Sequence, residues 1–284
     1  MSRISSEKTL LTIAYQGETG AFSEQAAQAY FGASARLVPM ESFKDVFEFA
    51  ARHPSGFGVV PLENSVFGSV HQNYDLLLKH NLHIIGEVKL RIQLHLMAMP
   101  GVAMKSIRRI YSHPQALGQC EDFLRSQKKV AAVAYYDTAG AARMVREEGK
   151  GEVAAIASAR AASTYGLSIL KRNIESNHHN YTRFIVLSRK PGRLQKATKT
   201  SLVFAVKDVA GALFKALAVF ALREINMLKI ESRPHVGKPW EYLFYLDIEG
   251  SPAEERVLQA LNHLDELSTF VRVLGAYPHG KTIV

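Results

Sequence analysis

Across residues 10–190, short apolar runs alternate with amphipathic stretches. LLTIAYQ (10–16), RLVPM (36–40), GFGVVPLE (56–63), IRRIYSHP (107–114), VAAVAYY (130–136), EVAAIAS (152–158) and RFIVLSR (183–189) have the length and content of buried strands. Between them lie six helical patterns, at 22–32, 42–53, 69–80, 115–126, 137–149 and 159–166. Ser42 is placed to cap one, and Gly32 and Gly166 to stop two others. Strands separated by helices predict mostly parallel α/β sheets. The run LHIIGEVKLRIQLHLMAM (82–99) breaks the alternation, being extended throughout. It suits a crossover between two α/β lobes, with a return crossover near 170–185. Two lobes flanking a cleft make a ligand clamp.

The pattern changes after SRKPGRLQKATKTS (188–201), a basic stretch with Pro191 and Gly192 and few apolar residues. It places a boundary near 190–199, between a domain at 8–190 and a domain at 199–279. Beyond it strands are expected at 199–207, 227–236, 240–250 and 269–278, and helices at 210–225 and 253–267. Leu213, Leu217, Phe220 and Ala221 form one face of the first helix. The order βαββαβ is the ferredoxin-like unit, whose free sheet edge is disposed to pair with a copy of itself.

Charge changes this picture little. The chain of 284 residues has 35 Lys and Arg against 26 Asp and Glu, a net +9. The basic residues are dispersed, and the 188–201 cluster lacks aromatics and helical periodicity, so it reads as a solvated linker rather than a nucleic-acid site. No apolar run approaches the roughly 18 residues of a membrane span. The apolar run Leu10–Tyr15 is too short for a secretory leader, so a cytoplasmic protein is expected. A single cysteine, Cys120, excludes an intramolecular disulfide and a Cys-rich metal site, and reads as an inert core thiol. His178 and His179 are adjacent on an extended segment, so they point apart, and no metal is expected.

Several strand ends carry polar residues that a scaffold does not need: Glu63-Asn64-Ser65, Ser112-His113 with Gln119, Asp137-Thr138, and Ser158. Ligands of α/β sheets bind at such ends, where helix N-termini offer N–H groups to anions. Singly each is an ordinary cap; together they point to an anion site. In NHHNYTRFIVL (177–187), Thr182 is either a β-branched strand-entry residue or a proton donor. Arg183 is either a surface charge or a bidentate carboxylate clamp. The residues alone leave both pairs open.

The segments YQGETGAFSEQAA, GVVPLENSVFGSVHQNYDLL, SHPQALGQC, NYTRF, GALFKAL and INMLKIESRP, in this order over about 12–278, resemble prephenate dehydratase with a C-terminal ACT domain. HQNYDLLLKHNLHIIGEV is also similar to plant arogenate dehydratases. The resemblance implies a two-lobed, periplasmic-binding-protein-like α/β catalytic domain followed by a ferredoxin-like ACT domain. It implies loss of water and CO2 from prephenate to give phenylpyruvate, in phenylalanine biosynthesis, without cofactor or metal. By motif, Thr182 becomes the proton donor, assisted by Glu63 and Asn64. Ser65, Ser112, Gln119, Thr138, Ser158, Arg183 and Phe184 become substrate contacts. Gly211, Ala212, Leu213, Asn226, Glu231, Ser232, Arg233 and Pro234 become a phenylalanine site between paired ACT units. The resemblance thus implies feedback control and a homo-oligomer, at least a dimer and by family a possible tetramer. Ala210 departs from the Pro usual before this Gly-Ala-Leu. Two competing readings are arogenate as substrate and a non-catalytic amino-acid sensor.

Overall fold

A computed structural model describes residues 11–235, 237–238 and 240–284. The expected domain start at residue 8, Leu10 of the first strand, Val236 at a strand end and Pro239 of a turn lie outside the described residues. The described chain clusters into two compact units. One takes the chain up to Leu78, Val88–Phe184 and Thr282–Val284; the other takes Lys79–Glu87 and Ile185–Lys281.

The chain opens with β1 (Thr12–Gln16), α1 (Phe22–Phe31), β2 (Arg36–Met40), α2 (Phe43–Arg52), β3 (Gly56–Asn64), β4 (Gly68–Ser69), α3 (His71–Lys79) and β5 (His83–Arg91). Ser42 caps α2 in a reciprocal box with Asp45, as the Ser-x-x-Asp spacing allows. A second group follows: β6 (His95–Ala98), β7 (Arg109–Ser112), α4 (Pro114–Gln119), α5 (Glu121–Ser126), β8 (Ala131–Ala134), α6 (Thr138–Glu148), β9 (Val153–Ala157), α7 (Ala159–Tyr165) and β10 (Ser168–Lys171). The chain then runs through β11 (Tyr181–Ser188), β12 (Lys199–Val206), α8 (Ala212–Ala221), β13 (Met227–Pro234), β14 (Tyr242–Glu249), α9 (Glu255–Leu267), β15 (Ser268–Tyr277) and β16 (Lys281–Ile283).

Three sheets result. The first has the order β16-β5-β11-β3-β1-β2 with β4 beside β3; the second is β10-β6-β9-β7-β8; the third is β13-β14-β12-β15. β1 pairs parallel with β2 and β3, and β7 pairs parallel with β8 and β9. The extended run 82–99 is therefore two strands in different sheets, and the return crossover joins β10 to β11. The two crossovers lie side by side: Ile92 N–H donates to Asn180 O at 2.8 Å, Ile174 N–H to Leu94 O at 2.9 Å, and Leu94 N–H to the buried Glu175 carboxylate at 2.9 Å. Irregular backbone buried here needs these partners.

Some expectations need correction. The helix expected at 115–126 is two short helices broken at Cys120, whose N–H turns back to Leu117 O. Burial pushes the Cys120 thiol up to about 12, as suits an inert core group. The sequence ESRP (231–234), whose charge pair and Pro are expected to weaken the strand ladder, does not interrupt it: β13 pairs antiparallel with β14 out to Pro234↔Tyr242. β13 is an edge strand, where proline costs no ladder bond. The last catalytic-domain strand starts at Tyr181, so Thr182 and Arg183 lie inside it rather than at its mouth. The strands β4, β10 and β16 were not expected.

The third sheet has the ferredoxin-like order, with α8 and α9 packed through Ala216, Val219, Phe220, Val257, Ala260 and Leu264 on Leu202, Phe204, Leu246 and Ile248. Among the described residues no helix is long and apolar enough to cross a membrane.

Candidate active site

Within the first unit, a cavity of about 320 Å³ is lined from both sheets. The first group supplies Gln16 at the end of β1, Ala21, Phe22 and Ser23 at the start of α1, Phe43, Pro61, Asn64 and Val70. The second supplies His113, Gln115, Ala116 and Gln119 around α4, with Tyr136, Asp137 and Thr138 at the start of α6. The crossovers add Ile92, Leu94, Thr182 and Phe184. One part of this wall is apolar and aromatic, and the rest presents amides, hydroxyls and a carboxyl. Among the described residues no Lys or Arg lines it.

Asn64 organises the polar end. Its Oδ1 accepts from Val66 N–H at 2.9 Å and Phe67 N–H at 3.0 Å. Those two backbone donors fix the amide orientation, since an Asn oxygen accepts and its nitrogen donates. Nδ2 therefore points at Asn180 Oδ1, 2.7 Å away, and donates to Thr182 Oγ1 at 3.0 Å. Ser65 sits beside it, donating to His179 O at 2.9 Å and accepting from Tyr181 N–H at 2.9 Å.

Sequence period decides what else on β11 reaches the cavity. Side chains alternate along a strand, so Thr182 and Phe184 line the cavity and Arg183 faces away. Arg183 is buried, with Nε 2.7 Å from Glu63 Oε1. The structure thus brings together Asn64, Gln119, Thr138, Thr182 and Phe184 of the expected site. It does not bring Glu63, Ser65, Ser112, Ser158 or Arg183 to the lining. Ser112 donates to Ile156 O at 2.6 Å, inside the second sheet. Ser158 caps α7 through Ala161 N–H and donates to Gly20 O at 2.7 Å.

His113 and Asp137 were marked at polar strand ends without being given a role; Gln16, Ser23 and Tyr136 were missed. The signal available was position: each lies at a strand end or helix start, like the residues that were singled out. Desolvation holds the His113 imidazole below its ordinary range, and its Nδ1 accepts from Gln115 N–H at 3.2 Å. The ring is therefore neutral with its proton on Nε2. Burial raises the Asp137 carboxyl, although Gly140 N–H donates to it at 2.8 Å. α1 starts at Ala21 without a side-chain cap, so its first-turn N–H groups beside the cavity remain available to an anion.

The groups are held in place by contacts between the two halves of this unit. Arg160 of α7 grips Glu24 of α1, with Nη2–Oε1 at 2.8 Å and Nε–Oε2 at 3.0 Å, and also bonds Gln28. Tyr165 OH donates to Thr19 O at 2.8 Å. Gly20 packs so closely that a Cβ there would lie 2.8 Å from Ala161 Cα.

Residues 13–192 match the family model of prephenate dehydratase, and residues 200–266 match that of the ACT domain. The chain belongs to the prephenate dehydratase family. Arogenate dehydratase/prephenate dehydratase 2 of Arabidopsis thaliana is 47% identical over 283 residues, covering 96% of this chain and 74% of the relative. A prephenate dehydratase from Arthrobacter aurescens, solved in complex with L-Phe, superposes with a TM-score of 0.86 at 33% identity, over 94% of this chain and 90% of that one. A chain described as GqqA, a novel type of quorum-quenching acylase, gives 0.86 at 35% identity, over 95% and 98%. This family member is thus a two-lobed α/β dehydratase with a C-terminal ACT domain, as its sequence motifs imply. Within that ACT domain the expected effector residues occupy two places. Gly211, at φ 78°, caps α8, and Ala212 and Leu213 open the helix. The register Phe204↔Phe244↔Ser232 puts this turn at the same end of the sheet as Ser232–Pro234. Asn226 lies at the opposite end, where its carbonyl accepts from Glu249 N–H at 2.9 Å.

Proposed function

We propose that this family member converts prephenate or arogenate by joint loss of the ring carboxylate as CO2 and the ring hydroxyl as water, under control of L-phenylalanine. The observation that carries the reading is the Asn64 Nδ2 to Thr182 Oγ1 hydrogen bond. Because Thr182 Oγ1 accepts from Asn64, its own proton is directed elsewhere, into the cavity. The electron pair of the breaking C–CO2 bond enters the ring and expels the hydroxyl, which takes the Thr182 proton and leaves as water. Asn64 stabilises the charge that develops on Oγ1 until solvent returns a proton. Aromatisation drives the step. Phe184, Phe22 and Phe43 pack the ring, while Gln119, Thr138 and the α1 N-terminus hold oxygens. Glu63 and Arg183 brace the strand ends carrying Asn64 and Thr182, Ser65 ties the Asn64 turn to His179 and Tyr181, and Ser112 and Ser158 bond the backbone at Ile156 and Gly20.

Acyl transfer is less well served. Among the described residues, the hydrogen bond recorded for the Thr182 hydroxyl is from an amide N–H, which cannot take its proton. The unpaired, buried Cys120 suits a reducing compartment, in keeping with a cytoplasmic location.

The ACT site reads as one shared by two copies. A two-fold pairing through edge strand β13 runs the strands antiparallel. It would bring the Asn226 end of one copy to the Gly211 and Ser232–Pro234 end of the other. A dimer through this edge follows from that pairing.

The test gives purified protein prephenate and arogenate separately, following phenylpyruvate and phenylalanine with and without added L-phenylalanine. Turnover of either substrate, suppressed by the amino acid, is expected. No turnover of either would overturn the reading and leave the sensor alternative.

A further inference from the structure

Among the described residues the main cavity has no Lys or Arg in its lining, yet the substrates proposed above carry two carboxylates. One leaves as CO2. A cation paired with it would stabilise the ground state more than the transition state, in which its charge moves into the ring, and would slow the step. The other carboxylate stays on the side chain and needs a partner. Gln16 and Tyr136 are walls common to the main cavity and a second one of about 500 Å³, lined also by Gly17, Glu18, Pro39, Met40, Glu41 and Arg143. Here the charges absent from the main cavity appear. Arg143 Nη1 lies 3.0 Å from Glu18 Oε2, Arg143 Nη2 donates to Tyr136 OH at 3.2 Å, and Tyr136 OH donates to Glu18 Oε1 at 2.8 Å. Local desolvation and the Glu18 carboxylate hold the Tyr136 phenol above its ordinary range, so it stays protonated. Both charged residues are partly exposed, with side chains 27% and 41% accessible for Glu18 and Arg143. Arg143 Nε also lies 3.6 Å from Glu147 Oε1 on the same helix, and the five N–H groups of a guanidinium exceed these contacts.

From this arrangement we infer that Glu18 and Arg143 form the recognition pair for the side chain that the substrate keeps. Arg143 takes the retained carboxylate, and Glu18 takes the ammonium of the amino-acid substrate. Glu18 thereby sets the preference for that substrate over the keto acid, which has no cation to offer. Tyr136 joins this pair to the reacting cavity. The inference rests on the dehydratase reading and names the specificity determinant within it. The pair also joins the loop after β1 to α6, so a purely mechanical latch is the rival role.

The two roles separate in steady-state kinetics with both substrates. In Glu18→Gln, which keeps the shape and a Tyr136 acceptor, the ratio of kcat/KM for arogenate over prephenate is expected to fall at least tenfold. Arg143→Gln is expected to raise KM about tenfold or more for both, with kcat within about threefold. If wild type turns over only one substrate, the inhibition constant of the other replaces its KM. An unchanged ratio in Glu18→Gln, or a loss in Arg143→Gln confined to kcat, would overturn the inference and leave a latch. Absence of any wild-type turnover would instead overturn the dehydratase reading, and this inference with it.

Discussion

Asn64 donates to Thr182 across 118 positions of sequence, at 3.0 Å, with its amide locked by Val66 and Phe67 N–H. Thr182→Ala should lower kcat by about 10²–10⁴, the usual worth of a positioned proton donor. Thr182→Ser should retain most of that. Asn64→Asp keeps the loop acceptor but turns a donor into a carboxylate that claims the threonine proton. Its kcat should fall at least about 10²-fold with a much smaller change in KM. Single-turnover assays check both, and a Thr182→Ala enzyme with unchanged chemistry would remove Thr182 from the donor role.

Gly20 joins backbone strain to close packing. Its φ is +96°, and a Cβ would meet Ala161 Cα at 2.8 Å. Gly20→Ala should destabilise by about 1–3 kcal/mol. It should also raise KM, because Ala21 and Phe22 line the cavity. Calorimetry and substrate titration measure the two effects. An unchanged KM with a lowered melting temperature would confine Gly20 to stability.

The second unit holds a buried ionic cluster. Lys199 Nζ lies 3.0 Å from Glu87 Oε2 and 3.1 Å from Asp247 Oδ2, with Ser201 donating to Asp247 at 2.5 Å and Gly280 N–H to Glu87 at 3.0 Å. Lys199→Met strands two buried carboxylates and should cost about 3–5 kcal/mol. Neutralising them as well, in K199M/E87Q/D247N, should recover a large part. Urea denaturation of the two variants tests this; equal stability of both would show that the charges carry no energetic weight.

Acidification should weaken the fold. Burial lowers His83, His95 and His113 below the ordinary 6.5, with a repulsive Arg272 adding at His83 and Arg172 at His95. Between that value and the folded ones the unfolded chain binds more protons, so stability is full above about 6.5 and falls as pH drops through the folded values. Asp137 works oppositely. Burial raises it above 3.8, so its contribution is present below that value and is lost as pH rises through its folded pKa. His95→Asn keeps an acceptor for Asn173 N–H, which now bonds Nδ1 at 3.0 Å, and should flatten the slope. Denaturation midpoints between about pH 5 and about pH 8 provide the check.

What could be read without a structure was local or repetitive. The alternation of strand and helix in the first half, the βαββαβ order of the second, the cap at Ser42 and the crossover at 82–99 all follow from period, turn residues and run length. The polar strand ends and the motif around Thr182 marked the neighbourhood of the cavity. Tertiary structure decided which of those residues share a space. Arg183 is next to Thr182 in sequence yet turned from the cavity by the strand's period of two, and it pairs with Glu63 instead. Ser112 and Ser158 were spent on carbonyls brought from Ile156 and Gly20. Gln16, His113 and Tyr136 gained a role only because separate strand ends converge, and Glu18 met Arg143 from 125 positions away. Such contacts depend on the packing of distant segments, for which a local pattern carries no term.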